Sequence, residues 1–379
     1  MNEYNQTAII NDAIKIQQVY TSAYKIPTNT PESDGTLSWD HTTLIIVEIK
    51  AGGKTGIGYT YANPATAFLI DSTLKEWIKG RAIMDIPAIT ALLQKKIRND
   101  GECGIAMMAI SAIDSALWDI KAKILGLPLC DLLGQARDDM LIYGSGGFTN
   151  YSDKTTEEQF CGWEQKGIRF LKMKIGSNPE LDADRIKKVR KVIHPETKLF
   201  VDANGAYTIK QALYKARQFA DYGVTWFEEP VFSDNLDGLH FIREHVHEQI
   251  NIAAGEYGYN VPYFHNMLNA RAVDILQADA SRCGGITGFL KAAVLAEGRQ
   301  IPFSSHCAPS LHLHAAVSLR SFFIAEYFFD HVRIEEMLFD GFSLPVNGRM
   351  RPDPDRPGMG IEFKYSDAEK FRILPWYRK

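Results

Sequence analysis

Seven residues that can bind a metal ion or move a proton recur at nearly regular spacing through the second half of the 379-residue chain. Each lies at or beside the end of a short segment whose composition predicts a β-strand. They are Lys174, Asp202, Glu228, Glu256, Asp279, His306 and Glu326, separated by 28, 26, 28, 23, 27 and 20 residues. Such an interval fits one strand, one helix and two loops. Because the strands of a parallel α/β barrel end at the same mouth, the spacing predicts that these side chains meet there.

Three of the five carboxylates in this series, Asp202, Glu228 and Glu256, form the strongest candidate set. Three carboxylates at one mouth repel one another and raise one another's pKa values unless a cation lies between them. Oxygen ligands with room for water and substrate suit Mg²⁺. The alternative is three unrelated acids that cap helix N-termini, and the regular spacing favours the metal site. Glu229 is a second candidate beside Glu228, which we prefer because it shares a strand face with Trp226.

A lysine pair and a histidine supply two candidate bases. Lys172 and Lys174 share one face of a predicted strand, and two neighbouring ammonium groups depress each other's pKa, as a lysine base requires near neutral pH. The alternative is a solvent-facing edge strand, which a strand inside a barrel cannot be. Asp279 is placed to fix the tautomer of His306 and leave the other ring nitrogen to take a proton, although a lone histidine is more often structural.

Other polar residues are expected to be structural. Asp114 and Asp119 belong to a predicted helix over residues 104–125, where local hydrogen bonds are expected to satisfy them. His312 and His314 lack i, i+4 spacing, so we expect them on the surface of a helix rather than in a zinc site.

The elements that must position the candidate residues follow one another in three stretches. Residues 1–63 predict antiparallel strands with a polar loop over about 26–41, which is long enough to be either disordered or functional. Helical patterns follow as far as residue 125, and from residue 140 strand and helix alternate to about 340, which gives eight strands. The tail from Leu344 is rich in Pro and Gly, so we expect it to run back over the first domain. This organisation predicts one barrel and one smaller domain.

Composition excludes several classes of protein. Lys and Arg number 42 and Asp and Glu 46, so the formal net charge is −4 and no strong basic field exists to hold nucleic acid. No apolar run reaches the ~18–20 residues of a membrane span, and residues 1–20 lack the pattern of a signal peptide. The five cysteines are odd in number and include no CxxC pair, which predicts reduced thiols in a cytoplasmic protein.

In order and spacing, the motifs resemble those of the enolase superfamily and, within it, the mandelate racemase subgroup. The motifs are Lys172-Met-Lys174, Asp202-Ala-Asn204, Glu228-Glu-Pro230, Gly255-Glu256, Asp279 before Gly284-Gly285-Ile-Thr-Gly288, Ser304-Ser-His306 and Glu326. The resemblance implies an α/β fold, a modified TIM (β/α) barrel with an N-terminal α+β capping domain. The expected boundaries are 1–135 for the capping domain, 136–343 for the barrel and 344–379 for a segment that returns to the capping domain.

The resemblance also implies a reaction, the Mg²⁺-dependent removal of the proton α to a carboxylate through an enediolate intermediate. Lys174 would be the base on one face of the substrate, and His306 with Asp279 would act on the other face. Lys172 would neutralise the substrate carboxylate, and Glu326 would hydrogen-bond it as a protonated acid. Further substrate contacts would come from Asn204, Ser145 and Trp39, the last of these in a capping-domain loop.

Two outcomes of this shared step stay open on the residues. Dehydration of an acid sugar is preferred, because it is the commoner outcome in the subgroup, and racemisation or epimerisation of a 2-hydroxy acid is the alternative. Cycloisomerisation is disfavoured because family members with that activity usually carry lysine in place of His306. A non-catalytic barrel that binds Mg²⁺ is disfavoured because it has no use for two bases. The expected partner is a small carboxylate substrate, and the expected assembly is a homo-oligomer, from dimer to octamer.

Overall fold

A computed structural model of the chain describes residues 14–374. Its first part is an antiparallel sheet built from β1 (Gln18–Ser33), β2 (Ser38–Ala51) and β3 (Lys54–Tyr61). Among the helices of residues 14–374, none combines the length and the apolar composition that a bilayer crossing requires.

The hairpin of β1 and β2 replaces most of the loop expected over residues 26–41. Trp39 pairs with Glu32 across the hairpin, and a shift of register between Pro27 and Glu32 accommodates the prolines, which cannot donate to a strand ladder. The turn is closed by the Asp34 side chain, which accepts hydrogen bonds from two backbone N–H groups at 2.6 and 2.7 Å. The prediction of a long loop is therefore wrong, because cross-strand pairing orders its polar residues.

Helices pack against this sheet. They are α1 (Ala65–Leu69), α2 (Lys75–Ile78), α3 (Ile86–Lys96), α4 (Ile105–Leu125) and α5 (Leu129–Leu133), with a π-helical turn at Ile70–Leu74 and a 3₁₀ turn at Ile97–Asn99. The alanines of α4 are buried because β3 approaches the helix backbone closely. A Cβ at Gly58 would lie 2.1 Å from the Ala112 carbonyl oxygen, so only glycine fits there.

Eight parallel strands form a closed barrel, which confirms the predicted fold class. They are β4 (Met140–Gly146), β5 (Phe170–Lys174), β6 (Lys198–Asp202), β7 (Val224–Glu228), β8 (Asn251–Ala254), β9 (Ile275–Ala278), β10 (Phe303–Ser305) and β11 (Phe322–Phe328), and β11 pairs with β4 to close the ring. The helices outside it are α6 (Asp153–Gln165), α7 (Pro179–Val192), α8 (Ile209–Ala220), α9 (Leu236–His245), α10 (Val261–Asn269), α11 (Gly285–Gly298), α12 (Pro309–Val317) and α13 (Phe329–Leu338). Inside it, Tyr143, Phe200 and Trp226 belong to a buried cluster beneath the strand ends.

The tail contacts both parts of the molecule. Strand β12 (Phe339–Asp340) comes just before the tail and pairs with β14 (Glu362–Phe363) of the tail. The tail itself contains β13 (Arg349–Met350), β14, α14 (Tyr365–Ala368), a 3₁₀ turn (Glu369–Phe371) and β15 (Arg372–Leu374). Strand β13 pairs with β4, and β15 adds an edge strand to β1. We therefore propose the division 1–135, 136–343 and 344–379, of which residues 1–13 and 375–379 lie outside the described part.

Two buried aspartates of α4 join distant parts of the chain. Asp119 accepts hydrogen bonds from the backbone N–H groups of Ile57 at 2.8 Å and Met359 at 2.7 Å, and it forms an ion pair with Lys123 at 2.9 Å. Asp114 accepts from the Thr287 N–H at 2.9 Å. The expectation of local hydrogen bonds is wrong for Asp114 and holds only in part for Asp119, which pairs with Lys123 one turn along the helix but also binds distant backbone groups, because the helix passes between the sheet, the barrel and the tail.

We predict that Asp119→Ala lowers the free energy of unfolding by about 3–5 kcal/mol, because it leaves two buried N–H groups without an acceptor and removes one of the two carboxylates that pair with the largely buried Lys123. Urea unfolding followed by circular dichroism measures the change. Lys188→Ala is the control, because its ion pair with Asp153 is exposed and contributes at most ~1 kcal/mol. Equal effects of the two substitutions would contradict the assigned role of Asp119.

Candidate active site

The seven candidate residues meet at the mouth of the barrel. Asp202 and Glu228 are the last residues of β6 and β7, and Glu256 follows β8 by two positions. One oxygen from each of these three carboxylates lies within 4.8 Å of the other two, and all three side chains are buried. Buried carboxylates this close suit a hard divalent cation, which needs several oxygen ligands around it.

Glu228 faces the other carboxylates because two side chains below it hold one of its oxygens. Trp226 Nε1 donates to Glu228 Oε2 at 2.9 Å, and Gln277 Nε2 donates to the same oxygen at 3.0 Å. Glu229 is buried but is not a member of the three-carboxylate group, and its backbone is left-handed, with φ 38°. The structure therefore places Glu228, and not Glu229, with Asp202 and Glu256.

Lys172 is a buried cation surrounded by carboxylates. Its Nζ lies 2.5 Å from Glu228 Oε1, 2.8 Å from Glu326 Oε1 and 3.3 Å from Asp202 Oδ2. Burial opposes the charge and is the largest single influence, but Glu228, Glu326 and the other acids together outweigh it and hold the pKa of Lys172 well above its usual value. Lys172 is therefore a fixed positive charge rather than a base.

Lys174 contacts Asp202, with 2.6 Å between Nζ and Oδ2. Burial lowers the pKa of Lys174 and is the largest single influence, but Asp202 with the other acids outweighs burial and the neighbouring Lys172 and raises that pKa above its usual value. Lys172 does depress the pKa of Lys174, as the sequence suggests, but its influence is the smaller one. Lys174 can serve as a base only when the charge of Asp202 is offset.

His306 and Asp279 form the expected pair, with His306 Nδ1 2.8 Å from Asp279 Oδ2. Burial opposes the charge of Asp279, but the hydrogen bond with His306 keeps the pKa of Asp279 below its usual range. Because this carboxylate accepts the proton on Nδ1, Nε2 is the nitrogen left to exchange a proton. Nε2 lies 3.4 Å from Glu256 Oε2 and 3.2 Å from Cys307 Sγ, so it faces the three-carboxylate group.

Glu326 accepts a hydrogen bond from the Cys307 N–H at 2.8 Å through its other oxygen, Oε2. Burial raises its pKa and is the largest single influence, but Lys172, His306 and Lys174 together outweigh burial and hold the pKa of Glu326 well below its usual range. The protonated form of Glu326 that the family resemblance implies stays a prediction.

The three remaining candidates lie at the same mouth. Ser145 on β4 pairs in register with Lys172, is fully buried, and its hydroxyl makes no hydrogen bond with the residues described. Asn204 takes a left-handed φ of 46°, and its backbone N–H donates to Asp202 Oδ1 at 2.9 Å while its own side-chain oxygen is unpaired. Trp39 packs against a cluster of Phe148, Cys307 and Phe328. A polar ligand would satisfy the unpaired Ser145 and Asn204 groups.

Sequence patterns missed several residues of the mouth. Phe148 and Phe328 reach it from β4 and β11, and His331 packs edge-on against Phe328 at 5.1 Å. No periodic signal identifies them, because their neighbours come from other parts of the chain.

The expectation for two other histidines is wrong. His312 and His314 are buried on α12, where His312 Nε2 accepts from the Ala280 N–H at 2.8 Å and His314 Nδ1 accepts from the Cys130 N–H at 3.1 Å. Both are structural, since α12 is covered on all sides and a spacing argument cannot detect this.

Comparison with known proteins gives two matches to family sequence models. The first is described as the mandelate racemase/muconate lactonizing enzyme N-terminal domain and matches residues 16–134. The second is described as the enolase C-terminal domain-like family and matches residues 156–368.

Several characterised proteins are similar along nearly their whole length. A 3,6-anhydro-alpha-L-galactonate cycloisomerase from Streptomyces coelicolor is 32% identical, over 94% of this chain and 99% of the relative. An arabinonate dehydratase from Saccharolobus solfataricus is 33% identical, over 87% and 90%. An L-talarate/galactarate dehydratase from Salmonella typhimurium is 31% identical, over 92% and 88%.

Solved structures share the fold. A mandelate racemase/muconate lactonizing enzyme-like protein from Rubrobacter xylanophilus has 47% identity and a TM-score of 0.93, covering 95% of this chain and 100% of that one. A racemase from Streptomyces coelicolor with bound magnesium has 30% identity and a TM-score of 0.89, covering 94% and 100%.

We predict that Glu228→Gln weakens Mg²⁺ binding by more than the ~10–100-fold that loss of an outer-shell partner causes, because it removes a charged ligand. Isothermal titration with MgCl₂ measures the affinity. The neighbouring substitution Glu229→Gln is the matched control and should keep the wild-type affinity. A larger loss in Glu229→Gln would show that the wrong glutamate is assigned.

Proposed function

The chain belongs to the mandelate racemase/muconate lactonizing enzyme family of the enolase superfamily, and we propose that it dehydrates a sugar acid after removing the proton α to the carboxylate. The observation that carries the proposal is the placement of two bases of different type, Lys174 and His306, beside one three-carboxylate group. A site that only bound a metal would need neither base.

The cofactor is Mg²⁺, which Asp202, Glu228 and Glu256 would hold. When bound, it supplies positive charge that stabilises the negative charge developing on the substrate carboxylate and offsets the charge of Asp202 beside Lys174. Solved relatives carry bound magnesium, which supports this assignment.

Lys174 is proposed to take the α proton on Nζ. Once the charge of Asp202 is offset, Lys172 is the neighbouring charge with the largest remaining influence on Lys174, and it favours the neutral form of Lys174 that can accept a proton. Lys172 itself stays charged between Glu228 and Glu326, so it is proposed to pair with the substrate carboxylate.

His306 is proposed to complete the elimination. The electron pair left on the α carbon forms the double bond to the β carbon, the β carbon–oxygen bond breaks, and Nε2 gives its proton to the departing hydroxide to make water. The resulting enol becomes a 2-keto-3-deoxy acid. Asp279 holds the proton on Nδ1 and stabilises the charged ring. Ser145, Asn204 and Trp39 are proposed to bind the hydroxyl groups of the substrate.

Isomerisation is the second candidate, favoured by the cycloisomerase among the relatives. That relative weakens the expectation that His306 disfavours cycloisomerisation. A racemase or epimerase is compatible with the same two bases, since each would then remove and return the α proton on its own side.

We also propose a cytoplasmic homo-oligomer, from dimer to octamer. The location is supported by five cysteines that form no disulfide. The oligomer rests on the resemblance to the family.

We predict that a library of sugar acids and 2-hydroxy acids contains a substrate that the enzyme converts to a 2-keto acid, detected as its semicarbazone. Rigorous treatment with EDTA should abolish turnover and added Mg²⁺ should restore it, because the developing charge is otherwise unbalanced. Full activity after chelation would contradict the metal assignment. Isomerised product without 2-keto acid would favour the second candidate.

We also predict that deuterium exchange of the α proton distinguishes the roles of Lys174 and His306. If Lys174 takes the α proton, Lys174→Ala should stop exchange of that proton with D₂O, because no other base lies on its side of the substrate. His306→Asn should block dehydration, with a loss of ~10²–10⁴-fold in kcat, yet permit exchange. Proton NMR with the confirmed substrate measures both.

If the enzyme is instead a racemase, each variant should keep exchange for one enantiomer and lose it for the other. Wild-type turnover in both variants would contradict the assignment of the site.

A further inference from the structure

A wall of side chains leads outward from Lys174. It consists of Glu32, Trp39, Tyr61, Phe148, Phe328 and His331, and we call it the distal wall. It begins at Phe328, whose ring centroid lies 6.0 Å from Lys174 Nζ. Phe328 is therefore the part of the wall that meets a substrate chain leaving an α carbon at Lys174 on this side.

The distal wall has two arms, each joining the barrel to the first sheet. In one arm His331 meets Phe328 at 5.1 Å and stacks on Tyr61 at 3.5 Å. In the other, Phe148 lies 5.7 Å from Phe328 and 5.6 Å from Trp39. Trp39 Nε1 then donates to Glu32 Oε2 at 2.9 Å.

The hairpin that carries Glu32 and Trp39 is held firmly on the barrel. Thr149 Oγ1 donates to the Asp34 carbonyl at 2.8 Å, and a Cβ at Gly35 would lie 2.3 Å from the Ala203 carbonyl oxygen. The wall is therefore a fixed surface and not a loose flap.

Three polar atoms of the distal wall are buried and have no hydrogen-bond partner among the residues described. They are Glu32 Oε1, Tyr61 Oη and His331 Nδ1, in side chains whose residues are 0%, 8% and 8% exposed. Leaving such groups unpaired costs ~1–3 kcal/mol each, so they favour a ligand that offers hydroxyl groups.

The charge of the distal wall is acidic or neutral. Burial raises the pKa of Glu32 to about 8 and lowers the pKa of His331 to about 3, so the histidine carries no positive charge near neutral pH. The nearest cation on this side, Arg333, donates to Asp330 at 3.0 Å and to the Pro27 carbonyl at 2.8 Å.

Arg333 also lines a groove on the outer surface with Trp163 and Lys166. The two cations whose charges act on the distal wall are already paired, Arg333 with Asp330 and Arg282 with Glu256 and Asp279. The carboxylate end of the substrate, in contrast, is matched by Lys172 and the metal site. A second carboxylate at the distal wall would be desolvated without a free cation to pair it, which is strongly unfavourable.

We propose that the distal wall binds an uncharged, hydroxylated tail, so that the substrate is a monocarboxylate sugar acid (an aldonate) and not the dicarboxylate (aldarate) of the same chain. Relatives are named for both classes, an arabinonate dehydratase for a monocarboxylate and an L-talarate/galactarate dehydratase for dicarboxylates. This inference rests on the proposed function, and it adds the charge of the far end of the substrate.

The test uses matched pairs that differ only at the last carbon, such as gluconate with glucarate and galactonate with galactarate, across the stereoisomers of both classes. Binding is measured by titration calorimetry with Mg²⁺-loaded Lys174→Ala, and kcat/KM with the wild-type enzyme. We expect each aldonate that binds to exceed its aldarate by about 100-fold or more, the discrimination that an unpaired buried charge of ~3 kcal/mol gives.

A second variant tests the wall itself. Measured at pH 9, above the pKa of about 8 of Glu32, the substitution Glu32→Gln keeps the shape of the side chain and its hydrogen bond to Trp39 while removing the negative charge, so the ratio of aldonate to aldarate should fall about tenfold. Glu336→Gln is the matched control, because Glu336 is an exposed residue of α13 on the outer groove, and its ratio should not change.

The outcomes separate this inference from the proposed function. Aldarates that bind or react as well as their aldonates overturn the inference while dehydration can still stand. Preferential binding of aldonates without 2-keto acid formation supports the inference and overturns dehydration. No binding of either class overturns both. An unchanged ratio of aldonate to aldarate in Glu32→Gln overturns the assignment of Glu32 as a group that rejects the second carboxylate.

Discussion

The structure depends on the balance of charge around Lys172. Five acidic side chains of the candidate site and two lysines are buried at one mouth, where an unpaired charge would cost several kcal/mol. Lys172 touches three of the acids and so makes the burial of those three possible. Because its pKa is high, Lys172 stays positively charged. Lys174, whose ion pair among the described residues is with Asp202, is the lysine that can change protonation state when the charge of that carboxylate is offset.

The barrel supplies this balance by geometry. The strands stand in parallel register, so Lys174, Asp202 and Glu228 lie side by side at successive strand ends. Beneath them Phe200 stacks on Trp226 at 4.9 Å and fills the interior. Because that interior is packed, the charged groups of the site lie at the mouth. Trp226 and Gln277 hold Glu228 in place above the aromatic side chains by donating hydrogen bonds to its Oε2.

The first domain completes the site rather than merely covering it. The tip of its hairpin packs against the ends of β5 and β6, and Tyr61 at the end of β3 stacks on a barrel histidine. The chemistry therefore belongs to the barrel, while the charge and shape offered to the rest of the substrate belong to the contact between domains. Such a division permits one proton-abstraction site to serve relatives that act on different acids.

The sequence by itself determined the fold class and the list of groups that meet at the mouth, because a strand, a helix and two loops repeat at a local period and every repeat ends on the same side. It did not determine which partner each group would have. The pKa of Lys174 was misjudged because Asp202, on the neighbouring strand, outweighs Lys172 on its own strand. The long loop proved to be a hairpin, and the buried histidines of α12 proved to be structural. These features, and the whole distal wall, arise from contacts between segments far apart in the chain, and such contacts are set by strand register, barrel closure and domain packing, which leave no local periodicity to detect.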